Sequence, residues 1–277
     1  MPRRAAIAVA LVVLSALAAP GPALARSHAV QLRVAFDRGA QLGAPTALSA
    51  ELRIDPRRLS APLLAVRLLY PDSLGILTSG LGLASCRPPA GAFAAIILDD
   101  PLRCPRNAVL GYGTALADVR LADGELIPEY AGVTVLAGPV ANGRVALVAY
   151  VEGQHPFGAR LVYAGTLASG APPFGGALDV RMPEIPSLVG FATLSLLEMK
   201  LSIGSRAITY VARTSRGARD FHPEGVGLPD RCPRDAFPFR VRLDFGDGRH
   251  AIAATRVPCP PAAAPASAGA GAGGGIR

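Results

Sequence analysis

Four cysteines are the residues here whose chemistry is easiest to name: Cys86, Cys104, Cys232 and Cys259. Behind an export signal an even count reads as two disulfides, since the space outside the cytoplasm is oxidising. Four cysteines allow three pairings, and the two local ones, Cys86 with Cys104 and Cys232 with Cys259, are favoured. The spacing lacks the close C-x-x-C of a zinc site, so no metal is expected there.

The acids come next. Glu125 and Glu129, with Asp118 and Asp123, gather around Asp123-Gly124. A glycoside hydrolase needs two carboxylates about 5–10 Å apart in a cleft, and Glu125 and Glu129 are the candidate pair. The same acids are candidates for calcium, although solvated acids at a hairpin tip are the commoner case. A basic run supplies the binding candidates: Arg206, Arg213, Arg216 and Arg219, with Tyr210 among them. The part from Thr214 to Gly227 reads as a long exposed loop, suited to an anionic cell-envelope polysaccharide or a lipid headgroup.

Other chemistry finds little support. His28, His155, His222 and His250 have no partner at i+2 or i+4, and His155 and His222 each precede proline. There is no G-x-S-x-G, and Ser79-Gly80 and Ser169-Gly170 read as turns. Gly111-x-Gly113 precedes a strand-like segment, so its glycines read as close packing or a bulge rather than a phosphate cradle. No cofactor is expected.

The elements that must position these residues begin after an export signal. Arg3 and Arg4 precede an apolar run from Ala5 to Ala19, followed by Pro20, Gly21, Pro22 and the small-x-small Ala23-Leu24-Ala25. That predicts cleavage after Ala25. The run is shorter than the roughly 20 residues that span a bilayer. No cysteine adjoins the site to take a lipid, and no later stretch is long and apolar enough to cross a membrane. The protein is therefore expected outside the cytoplasm, secreted or in the cell envelope.

About 250 residues remain, with the chain 51% hydrophobic and its formal charge +8. The cations are arginine apart from Lys200 and are interleaved with 20 acids. Coding bias explains that balance as well as an acidic partner does. Trp is absent and aromatics are 5%, so nucleic acid is not an expected partner.

Period two dominates. Val30, Leu32, Val34 and Phe36 alternate with polar or small residues, as do Leu48, Ala50, Leu52 and Ile54, and Phe237, Phe239, Val241, Leu243 and Phe245. Each set lies on one face of a strand. The run from Val145 to Val151 is apolar on both sides and suits a central, doubly covered strand. Residues 188–203 read as one long strand, with a bulge near Leu196-Leu197 where the alternation changes phase. Pro89 to Asp99 is the one short helix expected.

Asp123-Gly124, Asn142-Gly143 and Asp247-Gly248 lie between apolar runs and read as hairpin turns. A two-residue turn at the last would set Cys259 opposite about Ala236. Residues 261–277, rich in Ala, Gly and Pro, read as a disordered tail.

From Cys86 onward one set of features resembles a family of uncharacterised secreted all-β proteins from high-GC bacteria. These are Cys86, a spacer, Cys104-Pro105, Asn107, Leu110-Gly111, Gly113 and Ala115, with the Cys232/Cys259 pair bracketing an aromatic hairpin. The resemblance covers about two-thirds of the exported chain. It implies export and β architecture, and no mechanism.

The expected fold is all-β, an antiparallel β-sandwich of immunoglobulin-like or jelly-roll-like kind spanning residues 26–260, with ten to twelve strands. A split into two β lobes near residues 139–175 is the alternative. The leading functional expectation is a non-catalytic extracellular or envelope-associated module that binds an anionic glycan or surface. The competing one is a carbohydrate-active enzyme, glycosidase or lyase.

Overall fold

A computed structural model describes residues 29–76, 84–88, 104–141, 144–182, 193–205, 207–233 and 236–262. The expected signal peptide, the helix at Pro89 to Asp99, the Asn142-Gly143 turn and all of the tail beyond Ala262 lie outside them. Pro261 and Ala262, counted with the tail, are held in place: the Leu42 N–H donates to the Pro261 carbonyl at 3.0 Å, and Leu42 bridges Ala262.

The described chain is all-β, with no α-helix and one 3-10 turn at Arg106–Ala108. Its first strands are β1 (Val30–Phe36), β2 (Pro45–Thr46), β3 (Leu48–Ile54), β4 (Leu63–Pro71) and β5 (Gly75–Ile76). The central ones are β6 (Val109–Arg120), β7 (Leu126–Ala141), β8 (Arg144–His155), β9 (Arg160–Ser169), β10 (Phe174–Arg181) and β11 (Thr193–Ile203). The last are β12 (Tyr210–Thr214), β13 (Gly217–Phe221), β14 (Val226–Gly227), β15 (Ala236–Phe245) and β16 (His250–Pro258).

Eleven of them form a single antiparallel sheet in the order β1-β3-β11-β6-β7-β8-β9-β10-β4-β15-β16. Its outermost strands, β1 and β16, come against each other, so the sheet nearly closes into a barrel. The expected pair of stacked sheets is not confirmed, and β7, β8, β9 and β10 are successive neighbours in this one sheet. Period-two patterning is the same in a sandwich and a barrel, since both bury one face of every strand. Closure follows from long strands that bend. Register shifts at Leu196/Glu198, Val109/Gly111 and Ala137/Val140 add local twist. Bringing the edges together also hides the unpaired groups an open sheet would expose.

The barrel interior is filled by the alternating residues. Val30, Leu32, Leu52, Ile54, Phe237, Phe239, Val241, Leu243 and Phe245 are all buried. Each such side chain contributes on the order of 1.5–3 kcal/mol. Phe36 of β1 reaches across the seam to Phe237 and Phe239 of β15, at centroid distances of 5.1 and 6.5 Å.

The outer face is charged. Glu51 accepts from Arg53 at 2.6 Å and lies 3.8 Å from Arg33; Glu198 pairs with Arg53 at 3.1 Å and with Lys200. Such exposed pairs each contribute little to stability. No helix among the described residues is long and apolar enough to cross a membrane.

One stretch of outer wall is apolar and covered. Leu136, Val148 and Val162 are buried there against Cys86, Ala108, Ile208 and Tyr210. The Cys86 N–H donates to the Ala137 carbonyl at 2.7 Å, and the Tyr210 hydroxyl donates to the Val109 carbonyl. This cover is why Val145 to Val151 is apolar on both sides.

The cysteines pair locally, Cys86 with Cys104 and Cys232 with Cys259, at Cα separations of 4.9 and 5.9 Å. The bulge lies in β11 at Leu197: Leu196 pairs with Ala117 and Glu198 with Leu116. Gly111 and Gly113 lie inside β6, where a Cβ would stand 2.1 and 2.0 Å from the Ser202 and Lys200 carbonyl oxygens. They are close-packing glycines.

Both described Asp-Gly dipeptides lie in hairpin turns as expected, and the one at Asp247-Gly248 is a residue longer than expected. Asp244 pairs with His250 and Arg120 with Leu126, and each hairpin closes through a three-residue loop, 246–248 and 122–124. Gly248 (φ 80°) and Gly124 (φ 89°) take the left-handed position of that loop. Cys259 therefore lies one position off the predicted register, because Ala236 pairs with Pro258.

Candidate functional site

One end of the barrel is not filled by the described residues. A cavity of about 360 Å³ lies there, walled by β4, β6, β7, β8, β9 and β11 and by the β8–β9 connection. The cause is a block of small inward residues on adjacent strands. Ala115 pairs with Ala131, and Ala131 with Gly153. Beside Ala117 and Ala115 on the neighbouring strand stand Leu196 and Met199, and Leu63 and Leu64 of β4 line the cavity as well. The bulge at Leu197 keeps both Leu196 and Met199 turned inward, although they are three residues apart.

The wall is apolar apart from Glu129, Thr193 and Tyr163. Glu129 is 6% exposed. Its strand phase is fixed by Ala131, Val133 and Val135, which point inward, so Glu129 points inward as well. Its Oε2 accepts the Phe157 N–H at 2.8 Å. Its Oε1 is buried and has no hydrogen-bond partner among the described residues. Leaving such an acceptor unsatisfied costs about 1–3 kcal/mol. Burial pushes the Tyr163 phenol up to about 12, so it stays protonated at ordinary pH.

The other acids do not join it. Glu125 is exposed, and its N–H donates to Asp123 Oδ1 at 3.0 Å in the turn. Four residues of extended chain separate it from Glu129, roughly 13 Å. Asp118 shares a face with Pro128, away from the cavity. The carboxylate pair that acid–base hydrolysis needs is thus not assembled by Glu125 and Glu129. Among the described residues no three His, Cys, Asp or Glu side chains converge as a metal site would require.

Nor do the described arginines form one surface. Residues 210–221 are a hairpin, β12 with β13, rather than a loop. Arg213 pairs with Ala218 and Arg219 with Ala212, so the two arginines occupy opposite faces. Arg216 lies in the turn, its N–H on Thr214 Oγ1 at 3.2 Å. Arg206 lies outside the described residues. His222 Nδ1 is 2.8 Å from the Ile208 carbonyl, a structural contact. Ser169 ends β9, and the Gly170 N–H donates to the Gly175 carbonyl in the turn that follows.

Residue types picked out Glu129, but for a different task. The small residues of the wall carried no signal of their own, since an alanine facing a cavity and one facing a packed core read alike. No family model, curated protein or solved structure matches the chain.

Proposed function

We propose that this is a non-catalytic binding protein of an oxidising compartment, secreted or in the cell envelope, that holds a small, mainly apolar molecule inside its barrel. The cavity carries this reading. Its volume of about 360 Å³ falls in the range of small-ligand sites, about 300–1,000 Å³. Apolar walls with one or a few polar groups are the usual composition of such sites. A single carboxyl among the described lining residues, with Glu125 left at the surface, favours binding over hydrolysis. Two local disulfides and the export-type N-terminus support the location. The resemblance of the Cys104-Pro105 to Gly113 segment to secreted proteins points the same way.

The test is titration of the exported protein with N-phenyl-1-naphthylamine, a neutral dye that brightens in apolar surroundings. Saturable binding near one dye per chain, displaced by non-fluorescent apolar compounds, is expected. Folded protein that shows no saturable dye binding would overturn the reading.

A further inference from the structure

The cavity's polar groups are unevenly chosen. Its walls include a carboxyl, a phenol and a threonine hydroxyl, and none of the lining residues is Arg, Lys or His. The carboxyl is more than nine-tenths buried, with Oε2 committed to Phe157 and Oε1 without a partner among the described residues. A carboxyl with an unsatisfied oxygen in the wall of an apolar chamber, and no cation among the described residues that line it, marks what a partner must bring.

We propose that the ligand class is an apolar amine, its nitrogen donating to the Glu129 carboxyl and its hydrocarbon body lying against Ala117, Ala131, Leu196 and Met199. This rests on the reading that the cavity binds a small apolar molecule. An amine and a carboxyl share one proton between them. The pair forms whether that proton enters on the nitrogen or on the oxygen. A ligand carboxylate meets the opposite situation, because it would face Glu129 with no counter-ion among the described residues of the wall, and a buried unpaired charge is costly. An alcohol supplies a donor, yet not the charge-assisted bond. The order of affinity is therefore amine, alcohol, carboxylate for one hydrocarbon chain.

The experiment is displacement of N-phenyl-1-naphthylamine from the exported protein by octylamine, 1-octanol and octanoate. Octylamine is expected to displace the dye at about a tenfold or greater lower concentration than octanoate, with 1-octanol between. Glu129→Gln keeps an acceptor for the Phe157 N–H and should bring the octylamine-to-octanoate ratio close to one. Dye binding with no preference for octylamine in the unmodified protein overturns this assignment while leaving the cavity reading intact. An unchanged ratio in folded Glu129→Gln also overturns it. Absence of dye binding is a different failure, that of the cavity reading itself. The comparison among the three competitors needs no variant, so a poorly folding substitution does not rescue the proposal.

Discussion

The carboxyl of Glu129 occupies the space that Gly153 leaves. A Cβ at position 153 would stand 2.6 Å from Glu129 Oε1 and 2.3 Å from the Phe157 carbonyl oxygen. The same glycine donates its N–H to the Ala159 carbonyl at 2.7 Å. Acid, glycine and the β8–β9 connection thus form one unit at the cavity. Gly153→Ala must shift either the carboxyl or the backbone. It is expected to cost about 1–3 kcal/mol, seen as a lower denaturant midpoint. A midpoint equal to that of the parent protein would mean that the three groups do not meet in this way.

Filling the cavity should separate binding from folding. Ala131 faces Ala115 on one side and Gly153 on the other, all of them inward. Ala131→Leu places a larger side chain into open space, and its effect on stability should stay within about 1.5 kcal/mol. Affinity for N-phenyl-1-naphthylamine should fall about tenfold or more. Circular dichroism verifies the fold, and a folded variant with undiminished dye affinity would place the dye elsewhere.

The disulfides brace two different parts of the barrel. Cys232–Cys259 closes 27 residues around the β15–β16 hairpin, and Cys86–Cys104 closes 18 beside the outer cover. Replacing either pair by serine should remove about 3–4 kcal/mol in the chain-entropy account. Denaturant unfolding of each double variant, compared with the oxidised parent, gives the number. Loss of less than about 1 kcal/mol from both would show that the barrel does not depend on them.

Alkaline pH should weaken the fold through Tyr163. Burial raises its phenol from 10.0 to about 12. Between those values the unfolded chain releases the proton while the folded one keeps it. The stabilisation is complete below pH 10 and is lost as pH rises toward 12, on the order of 3 kcal/mol in all. Unfolding free energies across that range should slope downward, and Tyr163→Phe should flatten the slope. Burial likewise raises Tyr210, to about 12, so tyrosinate absorbance should show at least two of the six tyrosines titrating late. Equal alkaline slopes in parent and Tyr163→Phe would contradict the assignment.

Much of the strand architecture was legible in the chain itself. Alternation identified β1, β3 and β15 and the face each buries. The phase change at Leu196-Leu197 located the bulge, and the local cysteine pairs and the doubly covered β8 followed from spacing and composition. These features are local, arising from the two-residue repeat of a strand and from turn conformations that only some residues tolerate. The tertiary structure decided what no local repeat encodes. It chose one curling sheet over two flat ones, since both bury alternate residues. It also turned Glu129 inward and left Tyr130 56% exposed, against the preference of both side chains, because the inward run from Ala131 to Val135 fixes the strand's phase. The cavity exists because register sets Ala115, Ala131 and Gly153 side by side. Which small residues become neighbours depends on strand pairing across long stretches of chain, and that is settled only when the whole sheet folds.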